Sequence, residues 1–270
     1  MKFQGYVLVS DIDGTLVDHR WNVTPKNREA IAYFQKEGGK FTLATGRIPG
    51  RVKQIQQQVK IDLPIICYNG ACIYDLDTGK THWQHLLEGN VTNIADDILA
   101  NIPDVSIQIY AGHKIYMYQP NPGRLNTTFV LDEQLVRVED YKSVPKPWAK
   151  LMFIVQADKM CLVRERVRNS PQWEQFTFVQ SAPEYYEVLH PLTSKGNALE
   201  NLAAMLELSM DKIIAVGDNE NDIDMVRKAK YGFLTETAEE AYQKEADFIC
   251  GNCDSDSIAC VIRKMEEIML

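Results

Sequence analysis

The 270-residue sequence lacks basic runs, and its formal net charge is -8. Proteins that hold nucleic acid by neutralising its phosphates carry clustered lysine and arginine, so we expect no nucleic-acid partner. If the substrate is anionic, a local device must attract it against this net charge. A bound cation, a lysine or a set of backbone N–H groups could do so.

Long hydrophobic runs are also absent. The longest ones, such as residues 151–155, have the length of a strand, whereas a membrane-spanning helix needs roughly 20 apolar residues. We recognise no secretory segment at the N-terminus. The cysteines do not form the dense pattern of a disulfide scaffold, so we expect reduced thiols in a cytoplasmic protein with no membrane partner. They are Cys67, Cys72, Cys161, Cys250, Cys253 and Cys260.

The composition is that of an ordinary globular protein, with 45% hydrophobic and 24% charged residues. A chain of this length suits a core domain with a smaller companion. The first part alternates strands and helices. Strands are predicted at residues 6–9, 41–44 and 65–68, with a helix from Thr24-Pro25 to Gly38-Gly39. This alternation predicts a parallel, doubly wound sheet, which binds ligands beyond the carboxyl ends of its strands.

The middle of the chain has a different pattern. Strands are predicted at residues 105–110 and 114–118, joined at Ala111-Gly112-His113, and then at 151–155, 176–180 and 185–189, with a helix at 159–168. Connections contain Gln119-Pro120-Asn121-Pro122 and Val144-Pro145-Lys146-Pro147. These antiparallel strands and the helix predict a second, α+β unit.

The parallel pattern resumes after Pro191. We predict a strand at residues 213–216 and helices at 195–208, 222–229, 238–246 and from 257 to the end. The predicted fold class is therefore α/β, with a Rossmann-like doubly wound parallel-sheet core of residues 1–84 and 187–270. An α+β cap domain of residues 85–186 is inserted into this core.

Acidic side chains follow two of the predicted buried strands. Asp11 and Asp13 flank one residue at the end of the first strand, where a turn at Gly14 lets both approach one site. Asp218 ends a later strand. Carboxylates this close repel one another unless a cation lies between them. Because the ligands are oxygens with no histidine or cysteine nearby, the pattern favours Mg²⁺.

Each of these signals also has a structural interpretation. An isolated Asp-x-Asp-Gly-Thr segment is typical of a solvated turn. Thr45 alone would be read as a helix N-cap, and Lys195 alone as a surface residue. In the functional interpretation, Asp11 attacks phosphorus to form an aspartyl-phosphate, while Asp13 protonates the leaving group and later activates water.

Five segments along the chain carry these residues. They are Asp11-Ile12-Asp13-Gly14-Thr15-Leu16, Thr45-Gly46-Arg47, Asn69-Gly70-Ala71, Ser194-Lys195-Gly196-Asn197-Ala198-Leu199 and Gly217-Asp218-Asn219-Glu220-Asn221-Asp222-Ile223-Asp224-Met225. Taken together, they resemble the motifs of the haloacid dehalogenase-like (HAD) phosphatases, and among them the Cof-type branch with a class IIB cap. They occur in family order across essentially the whole chain. One departure is Asp256-Ser257-Ile258, where that branch commonly has an Asp-Gly-Val-like stretch.

The resemblance implies a role for each matching residue. Asp11 would be the nucleophile and a metal ligand, and Asp218 a further ligand. Asp13 would be the acid and base and would bind Mg²⁺ through its backbone carbonyl. Asp222 would ligate through water or orient Asp218 and Lys195. The groups that would hold the phosphoryl group are the Ile12 and Gly46 N–H groups, Thr45, Lys195 and Asn221, and the candidate substrate contacts are Arg47 and Asn69.

These roles together predict a Mg²⁺-dependent phosphatase that hydrolyses small phosphorylated metabolites, with sugar phosphates suggested by the resemblance. A phosphotransferase or phosphomutase would use the same aspartyl-phosphate. A receiver-like signalling module also gathers acids, Mg²⁺, a threonine and a lysine around an aspartate, but such modules are about half this length. The sequence predicts neither the individual substrate nor the oligomeric state.

Three weaker signals have simpler explanations. Cys250-Gly251-Asn252-Cys253 has the spacing of a redox motif but lacks the context of one. His82 and His85 have no third metal ligand nearby in the sequence. Packing explains the alternating tyrosines of the second unit as well as substrate contact does. They are Tyr110, Tyr116 and Tyr118.

Overall fold

The computed structural model describes residues 1–102, 104–119 and 135–269. Its chain contacts divide it into two compact units. Unit 1 comprises Met1–Trp83 and Ser194–Leu270, and unit 2 comprises Gln84–Thr193. The second boundary lies at 193/194 instead of the predicted 186/187, because the strand that ends at Leu189 pairs within unit 2.

The strands and helices alternate along most of unit 1. In chain order the strands are β1 (Val7–Ser10), β2 (Lys40–Leu43), β3 (Ile65–Cys67), β4 (Cys72–Tyr74), β5 (Thr81–Gln84), β6 (Ser106–Ala111), β7 (Lys114–Tyr118), β8 (Leu135–Val138), β9 (Lys150–Ile154), β10 (Thr177–Ala182), β11 (Tyr185–Leu189), β12 (Ile213–Gly217), β13 (Tyr231–Thr235) and β14 (Phe248–Cys250). The helices are α1 (Pro25–Lys36), α2 (Pro49–Gln56), α3 (Val91–Asn101), α4 (Met160–Arg168), α5 (Lys195–Met205), α6 (Ile223–Lys228), α7 (Glu240–Gln243) and α8 (Ser257–Ile268).

A five-stranded parallel sheet lies in unit 1, in the order β14-β13-β12-β1-β2. Strand β1 is an interior strand and fully buried, which explains its continuous apolar sequence. It pairs with β12 on one side and β2 on the other, so that Ser10 lies opposite Val216 and Leu43. The segments that follow these three strands therefore meet at one edge of the sheet, and the predicted parallel α/β core is confirmed.

Strand β3 runs parallel to the end of β2, as predicted for a third parallel strand, but it also belongs to a second, antiparallel sheet. It pairs antiparallel with β4 in a separate sheet of order β3-β4-β5. Its link to the parallel sheet is a parallel bridge between Ala44 and Ile66. The chain turns back because Tyr68 and Asn69 both have positive φ. Even so, the Asn69 N–H donates to the Thr45 carbonyl at 3.0 Å, which brings this turn to the tip of β2.

Helix ends follow local sequence signals. The Thr24 side chain caps α1 by accepting the Asn27 N–H, with proline at the first helical position. Helix α5 ends at Met205 instead of the predicted residue 208, because Glu207 adopts a left-handed backbone conformation that a helix cannot include. Helix α7 is shorter than the predicted 238–246 because the chain rejoins the sheet, where the Asp247 N–H donates to the Gly232 carbonyl at 2.9 Å.

Unit 2 contains a sheet of order β10-β11-β9-β6-β7-β8. Helices α3 and α4 contribute to its hydrophobic core, as an α+β unit requires. Gly112 and His113 form the two-residue β6–β7 turn, and both have positive φ, as type I′ hairpins require. The predicted connection at Pro120-Asn121-Pro122 lies outside the described residues.

The weaker sequence signals have structural explanations. Tyr116 and Tyr118 pack against the core of unit 2, whereas Tyr110 lies outside that cluster. His82 Nε2 lies 3.7 Å from Asp75 Oδ2. The ring centroids of His85 and His190 are 4.5 Å apart.

All six cysteines are free thiols. No described histidine or cysteine joins a group of three or more potential metal ligands. Among the described residues, no helix is both long and apolar enough to cross a membrane.

Candidate active site

Asp11 lies directly beyond the end of β1. Its N–H donates to the Val216 carbonyl at 2.9 Å, which continues the pairing of β1 with β12 for one more residue. The carbonyl of the next residue, Ile12, accepts N–H groups from Leu16 and Val17, so the chain turns immediately after the strand. The Asp11 side chain is thereby held at the sheet edge with only 6% of the residue exposed.

Lys195 forms the central ionic contact of the site. Its Nζ donates to Asp11 Oδ1 at 2.7 Å and to Asp222 Oδ1 at 2.6 Å, and the side chain is fully buried at the start of α5. Burial lowers the pKa of Lys195, but Asp11 and Asp222 raise it, and the net pKa is above its usual value. The interpretation of Lys195 as a surface residue is therefore wrong.

Asp222 is enclosed by donors. Its Oδ2 accepts the N–H groups of Asp218 and Asn219 at 3.0 and 3.1 Å, while Oδ1 receives Lys195. A Cβ on Gly217 would lie only 2.3 Å from the Asp222 carboxyl carbon, so the end of β12 must be glycine. Both oxygens of Asp222 thus accept hydrogen bonds, as a residue that orients Asp218 and Lys195 needs.

Asp218 faces the turn that follows β1. Thr15 Oγ1 donates to Asp218 Oδ1 at 3.1 Å. Gly14 has φ +75°, and a Cβ there would lie 2.3 Å from Asp218 Oδ2. Both the positive φ and the close approach require glycine at this turn.

The acids form a compact cluster that fits a metal ion. One oxygen each from Asp11, Asp218 and Asp222 lie within 4.8 Å of one another. Burial raises the pKa of Asp11 well above its usual value, against the opposing effect of Lys195. Burial, reinforced by Asp222, raises the pKa of Asp218 to about 7. A cation would favour the ionised form of these buried carboxylates, and an all-oxygen donor set suits Mg²⁺.

Asp13 lies outside this acid cluster. Arg47 Nε donates to Asp13 Oδ2 at 2.6 Å and Arg47 Nη2 to Oδ1 at 2.5 Å, in a bidentate pair. The Arg47 guanidinium also lies 4.1 Å from the centroid of the Trp21 ring. Arg47, a candidate substrate contact from its motif, is thus engaged by the candidate acid and base itself.

The remaining candidate residues gather at the ends of neighbouring strands. Asn221 Nδ2 donates to Asn69 Oδ1 at 2.9 Å, and a Cβ on Gly46 would lie 2.8 Å from the same oxygen. Thr45 is fully buried, and its Oγ1 accepts the Arg47 N–H at 3.2 Å. Thr45 is not the N-cap of α2, because Ile48 occupies that position.

Two supporting residues had no role in the sequence interpretation. Thr15 belongs to the first motif, and its hydroxyl could have been recognised there as a partner for a nearby acid. Ser257 Oγ donates to the Thr15 carbonyl at 2.6 Å across 242 residues of sequence, and no local signal predicts this contact. The segment Asp256-Ser257-Ile258, which differs from the family pattern, thus supports the first motif. Asp256 has a left-handed backbone conformation, and its Oδ1 accepts a hydrogen bond from Thr24 Oγ1 at 2.6 Å.

The chain is similar in sequence to known proteins. A protein from Bacillus subtilis (strain 168) named "Putative phosphatase YxeH" is 28% identical over 275 residues, which cover 96% of this chain and 98% of that protein. A second protein from the same strain, named 5-amino-6-(5-phospho-D-ribitylamino)uracil phosphatase YwtE, is 25% identical over 281 residues, which cover 94% of this chain and 96% of that protein.

A similar fold occurs in solved structures. The HAD phosphatase BT1666 from Bacteroides thetaiotaomicron superposes with a TM-score of 0.82 at 21% identity, covering 98% of this chain and 96% of that one. A structure described as the HAD subclass IIB sugar phosphatase BT4131 gives a TM-score of 0.81 at 20% identity, covering 98% of this chain and 100% of that one.

The family comparison covers nearly the whole chain. A model of the haloacid dehalogenase-like hydrolase family matches residues 8–262, which include parts of both units. A receiver-like signalling module does not account for this match. The chain belongs to the haloacid dehalogenase-like hydrolase family.

Proposed function

We propose that this hydrolase is a Mg²⁺-dependent phosphomonoesterase that transfers the phosphoryl group of its substrate to Asp11 and then to water. The observation that carries the proposal is the buried Asp11 carboxylate, held at the strand end by Lys195 with Asp218 nearby. A nucleophilic carboxylate, a fixed ammonium and a metal-binding acid cluster are the groups that phosphoryl transfer to a carboxylate requires.

In the first step, an Asp11 oxygen forms a bond to phosphorus while the bond from phosphorus to the leaving oxygen breaks. Lys195 Nζ donates to Oδ1 of this carboxylate, so Oδ2 is the proposed nucleophile. Asp13 gives a proton to the leaving oxygen. Lys195, together with Thr45, Asn221 and the N–H groups of Ile12 and Gly46, holds the phosphoryl oxygens and offsets their charge.

In the second step, water attacks phosphorus, Asp13 accepts the proton, and the bond from phosphorus to Asp11 breaks to release phosphate. Asp11, Asp218 and the Asp13 carbonyl would hold Mg²⁺, with Asp222 orienting Asp218 and Lys195. When bound, the ion neutralises negative charge on the carboxylates and on the phosphoryl group. Lys195 also supplies local positive charge that an anionic substrate needs in a chain of net charge -8.

The proposed substrates are small phosphorylated metabolites, with sugar phosphates favoured. One relative is named for a phosphorylated ribitylamino compound, and one structure of similar fold is described as a sugar phosphatase. Unit 2 takes the role of the cap that selects among these esters, and the protein is proposed to act in the cytoplasm.

Replacing the nucleophile tests the proposal directly. Asp11→Asn removes the attacking charge and should lower kcat for 4-nitrophenyl phosphate by about 10⁴-fold or more, as loss of a covalent nucleophile does elsewhere. Phosphate release with Mg²⁺ present is the measurement. The matched control is Asp211→Asn, an exposed acid of unit 1, which should keep wild-type activity. Substantial turnover by Asp11→Asn would remove Asp11 from the mechanism.

The affinity for Mg²⁺ should depend on pH. Because the raised pKa of Asp218 lies at about 7, this carboxyl is largely protonated below that pH, and the proton competes with the ion. Apparent affinity should therefore fall as pH decreases, by up to about tenfold per pH unit below about pH 7 for one displaced proton. Calorimetric titration of the wild type at about pH 6 and about pH 8 measures this. Equal affinities at the two pH values would contradict the assignment of Asp218 as a ligand.

The turn glycine provides a second test of the metal site. Gly14→Ala should weaken Mg²⁺ binding and reduce kcat by at least about tenfold, because its Cβ would displace Asp218. Gly79→Ala is the matched control, since Gly79 has φ +71° but a Cβ there would meet only Tyr74 Oη, at 3.6 Å. In both variants the free energy of unfolding should fall by about 1–2 kcal/mol, because alanine is strained at positive φ. Equal activities of the two variants would contradict the role of Gly14 in the site.

A further inference from the structure

Trp21 contacts Arg47, the arginine that binds the candidate acid and base Asp13. The Arg47 guanidinium is 4.1 Å from the Trp21 ring centroid, a distance typical of a cation–π contact. The same guanidinium holds both oxygens of Asp13, at 2.6 and 2.5 Å. Trp21, Arg47 and Asp13 therefore form a continuous chain of contacts, although they come from two separate segments of the sequence.

The loop that carries Trp21 is fixed on both sides. Asp18 Oδ1 accepts the N–H groups of Arg20 and Asn22, both at 2.8 Å, and the Trp21 N–H donates to the Asp18 carbonyl at 3.0 Å. Gln58, just beyond α2, donates to the Trp21 carbonyl at 3.1 Å and accepts the Val23 N–H at 2.8 Å. The indole is therefore presented to Arg47 by a defined loop.

The backbone at residue 21 is unfavourable for tryptophan. Its φ is +64°, in the left-handed region that asparagine and glycine adopt far more readily than a bulky aromatic residue does. The backbone conformation at residue 21 therefore does not explain why the residue is tryptophan. The indole ring itself contacts the Arg47 guanidinium.

We propose that Trp21 is a positioning residue, which holds Arg47 so that Arg47 keeps the Asp13 carboxylate oriented to accept a proton from water in the second step. A bidentate guanidinium holds a carboxylate in one orientation, because two parallel N–H groups bind its two oxygens. In this step the water oxygen bonds to phosphorus, the bond from phosphorus to Asp11 breaks, and the proton moves to Asp13. The inference rests on the proposed function.

Slowing only the second step has a distinct kinetic result. 4-Nitrophenolate is a good leaving group that needs little help from an acid, so formation of the aspartyl-phosphate should not depend on Trp21. In a two-step reaction, kcat/KM reports the steps up to formation of the intermediate, whereas kcat includes its breakdown. Loss of the indole should therefore lower kcat and KM together and leave kcat/KM unchanged.

The test compares Trp21→Asn, which suits the left-handed backbone but lacks the ring, with Trp21→Tyr, which keeps an aromatic face. With Mg²⁺ and 4-nitrophenyl phosphate, Trp21→Asn should show a burst of nitrophenolate, then a steady rate about tenfold below that of the wild type. Trp21→Tyr should behave like the wild type. The melting temperature of Trp21→Asn should be no lower, because asparagine relieves the strained φ.

Two results would overturn the inference while leaving the proposed function intact. One is a fall in kcat/KM for Trp21→Asn, which indicates general damage to the site. The other is an unchanged steady rate for Trp21→Asn, which shows that the ring is dispensable. A wild-type protein that hydrolyses no phosphate ester with Mg²⁺ present would instead refute the proposed function.

Discussion

The buried ammonium of Lys195 is the contact on which the rest of the site depends. It joins Asp11, beyond β1, to Asp222, beyond β12, with donor distances of 2.7 and 2.6 Å. All three side chains are almost inaccessible to water. Without the ammonium, two buried carboxylates would face each other uncompensated, which is strongly unfavourable. The Lys195 ammonium therefore has two effects: it allows both carboxylates to be buried, and it fixes Asp11, the proposed nucleophile, at the end of β1.

The strands around this ion pair explain why distant segments form one site. Parallel pairing of β1 with β12 and β2 places their carboxyl ends side by side, and the turns after them must then pack closely. Gly14 and Gly217 meet this demand, because a Cβ at either position would collide with an aspartate. The backbone at Gly14 and Gly217 therefore packs directly against Asp218 and Asp222 and restricts where these two side chains can lie.

Much of this arrangement could be predicted from the sequence. The apolar runs before Asp11 and Asp218 identify buried parallel strands, and their ends identify where the acids meet. Lys195 could be included only through its motif, since nothing local shows that its side chain is buried. The antiparallel pairing of β3 depends on positive φ at Tyr68 and Asn69, neither of which is glycine. The contacts of Ser257 with Thr15 and of Trp21 with Arg47 depend on tertiary packing, which has no periodic or motif signal.

The central claim is that Asp11 carries the phosphoryl group during turnover. Rapid acid quenching of the wild-type protein with Mg²⁺ and 4-nitrophenyl phosphate, followed by mass spectrometry of its peptides, tests this claim most directly. The account predicts a phosphoryl group on Asp11, which appears during turnover and is lost after the substrate is consumed. A phosphoryl group on another residue, or a fully active enzyme that never carries one, would contradict it.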